Sequence, residues 1–139
     1  MWSNTDLAYL AGIIDGEGTI FIQRRMDNGT WTYWSRMQVV NTYKPLIEWI
    51  YSTFGGLMYT VNRSKPNRIR KTQYQWYTRI SLVDVLIPKV YPYLINKKQH
   101  AEIFMEFRKT FTHGSKKRLT NEVQLFREEC MHKLKHLNL

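Results

Sequence analysis

A short acidic, glycine-rich segment is the part of this chain best equipped for chemistry. Residues 10 to 18 read LAGIIDGEG, which sets Asp15 and Glu17 on either side of Gly16. The order NTDLAYLAGIIDG predicts a helix from Asn4 to about Gly16, with Asn4 or Thr5 as N-cap, Asp6 in the first turn and glycine at the end. Ala8, Gly12 and Gly16 then fall at i, i+4 and i+8, a stripe of small side chains that admits a neighbouring backbone. Glycine inside a helix costs about 1 kcal/mol against alanine, so Gly12 argues for close packing. The natural partner is a copy of the same helix across a twofold axis, with Ala8, Ala11, Gly12, Asp15 and Gly16 as the expected contact set. Two helices crossing there would bring two Glu17 carboxylates together. Hard divalent cations take oxygen ligands, and a carboxylate with a backbone carbonyl, water and substrate phosphate is the donor set of two-metal phosphodiester hydrolysis.

The elements around this segment follow from patterning. TIFIQRR (19–25) and WTYWSRMQVVN (31–41) are β-branched and aromatic runs joined by Asp27-Asn28-Gly29, a hairpin signature. YKPLIEWIYSTF (43–54) has Leu46, Ile47, Ile50 and Phe54 at helical spacing, Pro45 in the first turn, and Gly55-Gly56 as a stop. A second hairpin is expected from about Leu57 to Asn62 and from Gln73 to Ser81, joined by the basic loop NRSKPNRIRK. Helical stretches are expected around Val83 to Leu94, interrupted by Pro88 and Pro92, then from about Lys97 to Phe111. A last helix, from about Asn121 to Leu137, follows a break at Thr112, His113, Gly114 and Ser115. Trp49, Tyr51, Phe54, Phe104 and Phe107 sit at helical spacing and read as core. The sum is an α+β domain over residues 1–139, a four-stranded antiparallel sheet backed by helices on one side, with 112–139 as a C-terminal helical extension.

Composition narrows the partners. Lys and Arg number 21 against 11 Asp and Glu, a net charge of +10, which suits a polyanion such as nucleic acid. The single cysteine, Cys130, cannot form an internal disulfide and reads as a packed, inert thiol in a reducing compartment. The N-terminus lacks the basic and apolar regions of a signal peptide, and no apolar run reaches the roughly 18 residues of a membrane span. An intracellular protein of cytoplasm or organelle, neither secreted nor membrane-bound, is expected.

Alternation within the strands defines an open sheet face. Ile20 and Ile22 should point inward, leaving Thr19, Phe21, Gln23 and Arg25 outward; Met37 and Val39 inward, leaving Trp34, Arg36 and Gln38 outward. In the second hairpin Tyr74, Trp76, Thr78 and Ile80 alternate with Gln73, Gln75, Tyr77 and Arg79, the latter set open. Such a face can lie in a major groove, where Arg reads guanine and Gln or Asn reads adenine. The rim would be Asn62, Arg63, Lys65, Arg68, Arg70 and Lys71.

The segment LAGIIDGEG resembles the LAGLIDADG signature of homing endonucleases, with Ile for Leu at the fourth position, Gly for Ala at the seventh and Glu for Asp at the eighth. The order of elements is similar too, and the resemblance covers most of the chain to about Phe111. It implies the αββαββα fold with a DNA-binding sheet and an extra C-terminal helix. One motif in 139 residues looks like the homodimeric branch, which cuts both strands of a long pseudo-palindromic duplex across a narrowed minor groove. By this resemblance Glu17 is the metal-binding acid, the Gly16 carbonyl a second metal contact, and Asp15 a structural helix-end acid. Asn41 would organise active-site water, and Lys97 would stand near the scissile phosphate, with Lys98 in its place if the register shifts by one. A further basic residue falls at Lys44, since Pro45 cannot serve. Mg²⁺ is the implied cofactor, with Ca²⁺ as a non-cleaving substitute and Mn²⁺ as another option. A rival of the same fold and charge is an RNA maturase acting on intron RNA, or a catalytically silent nucleic-acid binder.

Overall fold

The computed structural model describes residues 1–111 and 120–139, so the expected break at 112–115 lies outside the described residues. Helix α1 spans Asn4–Glu17 and is capped by Ser3, whose hydroxyl accepts from the Asp6 N–H at 3.1 Å. The cap is thus one residue before the expected Asn4 or Thr5, because Ser3 is the extended residue whose side chain reaches the free first-turn donor. The helix also runs through Gly16 and stops at Gly18. A Cβ on Gly18 would meet the Ile14 Cα at 2.7 Å and the Ile14 carbonyl oxygen at 2.9 Å, so the chain turns there only because a side chain is missing.

Strands β1 (Gly18–Asp27) and β2 (Thr30–Asn41) form the first hairpin, closed by Asn28 and Gly29, both at positive φ as a tight two-residue turn requires. Helix α2 is Lys44–Phe54, and strands β3 (Leu57–Val61) and β4 (Gln73–Tyr77) form the second hairpin. The sheet order is β1-β2-β4-β3, antiparallel throughout.

The expected strand to Ser81 is corrected here. β4 ends at Tyr77 and helix α3 occupies Ile80–Val90, so Arg79 stands at the helix start and Ile80 is exposed rather than inward. Thr78 ends the ladder: its N–H donates to the Met37 carbonyl at 3.0 Å and its hydroxyl accepts from the Met37 N–H at 3.1 Å. Pro88 is accommodated within α3, and a 3-10 turn at Tyr91–Tyr93 leads to helices α4 (Lys98–Arg108) and α5 (Asn121–Leu137).

The core lies between the sheet and the helices. Leu7, Leu10 and Ile14 of α1, Ile20, Met37, Val39 and Trp76 of the sheet, and Leu86, Ile87, Phe104 and Phe107 are buried. Tyr51, expected among them, is exposed on the outer side of α2. Helix α5 lies along β1: Asn138 donates to the Ile20 carbonyl at 3.0 Å, and Glu128 pairs with Arg24. Cys130 is buried on α5, and that burial raises its thiol pKa. Among the described residues no helix is long and apolar enough to cross a membrane.

Candidate functional site

The C-terminal end of α1 gathers residues distant in sequence. Glu17 is exposed there, and the Asn41 side-chain amide at the end of β2 donates to its carboxylate at 2.6 Å. The Asn41 side-chain oxygen, Oδ1, accepts from the Tyr43 N–H at 2.7 Å, which fixes which face of the amide meets Glu17. Asp15, two residues earlier, reaches the segment before α4. Its carboxylate accepts from the Ile95 N–H at 2.8 Å and the Lys97 N–H at 2.9 Å, while its carbonyl takes the Asn96 amide at 3.1 Å and the Lys97 ammonium at 3.2 Å.

Lys97 is thereby tied to the same helix end that carries Glu17. Lys98 is not; its ammonium stands 4.9 Å from the Tyr91 ring. Lys44 faces Glu48 at 3.5 Å and the Tyr74 ring at 5.8 Å. Among the described residues the Gly16 carbonyl accepts no hydrogen bond, whereas those of Ile14 and Asp15 are taken. The arrangement offers a carboxylate, a free carbonyl and a lysine, all oxygen or cationic groups suited to a hydrated cation and a phosphate. No cluster of three or more His, Cys, Asp or Glu capable of holding a metal occurs among the described residues. A metal at Glu17 would therefore need phosphate, water or another chain for its remaining ligands.

The outer side of α1 is open. Ala8, Gly12 and Gly16 are exposed, and a Cβ on either glycine would meet nothing within 4 Å. Beside them runs a groove of about 440 Å³, bordered by Tyr9, Ile13 and Leu46. Ala11 is corrected out of the expected contact set: it is fully buried, because it shares the inward stripe of Leu7, Leu10 and Ile14. Asp15 is half-buried, and its carboxylate is engaged within the chain by the 95–97 segment.

The open sheet face carries Gln23, Arg25, Trp34, Arg36, Gln38, Gln73, Gln75 and Tyr77, with Leu57, Tyr59 and Val61 of β3 facing the same way by register. It is more aromatic than its sequence suggests. Phe21 meets Trp34 edge-on at 6.1 Å, the Arg36 guanidinium lies over Trp34 at 4.6 Å and over Tyr77 at 4.1 Å, and Tyr77 stacks on Tyr59 at 5.1 Å. Burial and the Tyr59 hydroxyl hold the Tyr77 phenol above its ordinary pKa, with Arg36 pulling the other way. Arg25 is held by Asp27 at 3.1 Å, and Arg24 turns to the opposite face over Trp31. Arg63, Lys65, Arg68, Arg70 and Lys71 are exposed on the β3–β4 loop and in no ion pair among the described residues. Asn62 serves that loop by accepting from the Ser64 N–H at 3.0 Å.

Two contributors escape sequence reasoning: Asn96, which binds the Asp15 carbonyl across 81 positions, and Tyr59, whose strand has no clean alternation. No local signal points to Asn96.

Comparisons with known proteins bear on the family and the fold. The profile of the LAGLIDADG endonuclease family matches residues 10–111. Among solved structures, the chain is similar to an archaeal intron-encoded homing endonuclease, I-Vdi141I, complexed with DNA: TM-score 0.77, 15% identity, covering 96% of this chain and 84% of that one. It is similar to the homing endonuclease I-CvuI in complex with its target in the presence of Ca (TM-score 0.63, 18% identity, 95% and 96% coverage). The LAGLIDADG homing endonuclease I-GzeII bound to its DNA target matches over 93% of this chain but 43% of its own length (TM-score 0.68, 19% identity). No curated protein sequence matches the chain.

Proposed function

Since this chain belongs to the LAGLIDADG endonuclease family, we propose that it is a homodimeric, site-specific DNA endonuclease that hydrolyses one phosphodiester per strand with a divalent metal. All 139 residues are read as one endonuclease domain. The observation that carries the reading is the assembly at the end of α1, where Asn41 holds the Glu17 carboxylate at 2.6 Å and Asp15 anchors Lys97 at the same helix end. Solved relatives with Ca or Mg in the presence of DNA support divalent-metal use.

Each group has a distinct task. Glu17 and the free Gly16 carbonyl would hold Mg²⁺, with Ca²⁺ as a non-cleaving substitute and Mn²⁺ as an alternative. When bound, the metal lowers the pKa of an attacking water and offsets charge on the phosphate. Asn41 orients Glu17, and by the family resemblance it would also order water at the site. Lys97 supplies positive charge toward the anionic phosphate, which is worth most where water is excluded.

The dimer is supported by Ala8, Gly12 and Gly16, exposed and unneeded by the chain's own packing. A twofold-symmetric protein calls for a pseudo-palindromic site. The open sheet face and the basic loop supply base-edge and phosphate contacts, respectively.

The test is Glu17→Gln on a duplex selected from a random pool in Ca²⁺. Mg²⁺ should then give staggered double-strand cuts with the unaltered protein, while Glu17→Gln binds the site and cleaves at least roughly 10²–10³-fold more slowly. Unchanged cleavage by Glu17→Gln sinks the assignment. A bound site that the unaltered protein leaves intact identifies a silent binder, and preference for intron RNA over duplex identifies a maturase.

A further inference from the structure

Four arginines belong to or border the sheet, and their surroundings differ. Arg24 turns to the helix side, over Trp31 and against Glu128. Arg25 is chelated by Asp27 at 3.1 and 3.2 Å. Arg79 is exposed at the start of α3. Arg36 alone of the four lies over two rings, and it does so on the open face: its guanidinium is 4.6 Å from the Trp34 centroid and 4.1 Å from that of Tyr77. Those rings are themselves braced, Trp34 by Phe21 and Tyr77 by Tyr59. No carboxylate pairs with Arg36 among the described residues.

Contact with ring faces occupies the flat sides of a guanidinium and leaves its edge of N–H donors available. Beside Arg36 is a cleft of about 550 Å³, reached by Arg25 and Arg79 and unfilled by the chain. It opens beyond the last link between β2 and the second hairpin, the Met37–Thr78 bonds that follow the Gln38–Asn41 register. A donor fork held in plane at such an opening matches an acceptor pair in plane. In duplex DNA that pair is the O6 and N7 of guanine in the major groove. Because the side chain is already immobilised, less rotamer freedom is lost on contact than for a free arginine.

We infer that Arg36 is the pre-set guanine reader of the sheet, specifying one G·C pair in each half of the target. This rests on the endonuclease reading above and adds the base that the face selects. Arg25 must leave Asp27 to do the same and contributes mainly charge.

The experiment is the Ca²⁺ duplex selection repeated with Arg36→Ala, Arg36→Lys and Arg25→Ala, with binding measured across salt concentrations. Expected is loss of a single guanine preference per half-site, about ten- to a hundredfold, in Arg36→Ala, with other positions and the salt slope retained. Arg36→Lys should not restore it, since an ammonium lacks the fork. Trp34→Leu, which keeps the arginine, should weaken the same position and serves if Arg36→Ala misfolds. A uniform loss at all positions with a salt slope shallower by about one would make Arg36 a phosphate contact and overturn the inference. So would an unchanged consensus. In both of those outcomes the unaltered protein still selects and cuts its site; failure of the unaltered protein to select any duplex overturns the endonuclease reading and this inference together.

Discussion

Gly12→Ala should stabilise the single protomer and weaken its association, two effects of opposite sign from one methyl group. Gly12 lies in the middle of α1, away from the positive-φ region, and a Cβ there meets nothing within 4 Å. Alanine in an exposed helix interior is favoured over glycine by about 1 kcal/mol, so at dilutions where protomers are separate the unfolding free energy should rise by about that amount. In a twofold crossing near Gly12, each copy contributes its methyl to the closest approach of the backbones. Overpacking of this kind costs about 1–3 kcal/mol, which corresponds to roughly 5- to 150-fold in the dimer dissociation constant. Sedimentation equilibrium over a concentration series reads the second effect, and urea unfolding at low and high protein concentration separates it from the first. An alanine variant that gains stability yet associates as tightly as its parent would refute the placement of Gly12 at a crossing. A variant destabilised at dilution would refute the open space around it.

The other expectations concern the fold around the site. Asp15→Ala strips two backbone N–H groups, of Ile95 and Lys97, of their acceptor and should cost about 2 kcal/mol in urea unfolding, Asp15→Asn less, with cleavage rate falling more than binding. Gly18→Ala drives a Cβ to 2.7 Å from the Ile14 Cα, so a loss of about 1–3 kcal/mol and a shifted Glu17 are expected, checked by thermal unfolding and Mg²⁺ cleavage. Burial, with Lys97 nearby and Asp15 opposing, holds the His100 imidazole below its ordinary 6.5. The folded state therefore resists its protonation: the stability tied to neutral His100 is complete above about pH 6.5 and is lost as pH falls through the lowered value. Melting temperatures between pH 7.5 and 5 should show that loss, and His100→Gln should flatten it.

What could be read in the sequence was what local chemistry determines. The Asn28-Gly29 turn, the Gly55 stop and the bounds of α5 follow from residues within a few positions of each other. The alternation of β1 and β2 was legible because one face is buried and the period is two. The end of β4 was not, because Thr78 is held by Met37, 41 positions away, and Ile80 continues an alternation that the backbone abandons. Glu17, Asn41 and Lys97 could be named from a motif and a resemblance. Their joining could not, because it depends on Asp15 gripping residues 95–97 across some 80 positions. Ala11 shows the limit of residue type as a guide: it is as small as Ala8, yet helical geometry turns it into the core.

Helix α5, described above for its packing along β1, also acts as a guard. A sheet that keeps one face bare to receive a long polymer has two lateral borders, and unpaired N–H and C=O groups on a border invite a foreign strand. On β1, the longer border strand, Asn138 takes the Ile20 carbonyl while Arg24 and Glu128 clasp the helix alongside. The opposite border, β3, is five residues long and offers little template. Aggregation by strand addition is thereby discouraged on both flanks, and a chain shortened before Asn121 would retain its reading surface while leaving the Ile20 carbonyl and Arg24 on the β1 border without their partners on α5.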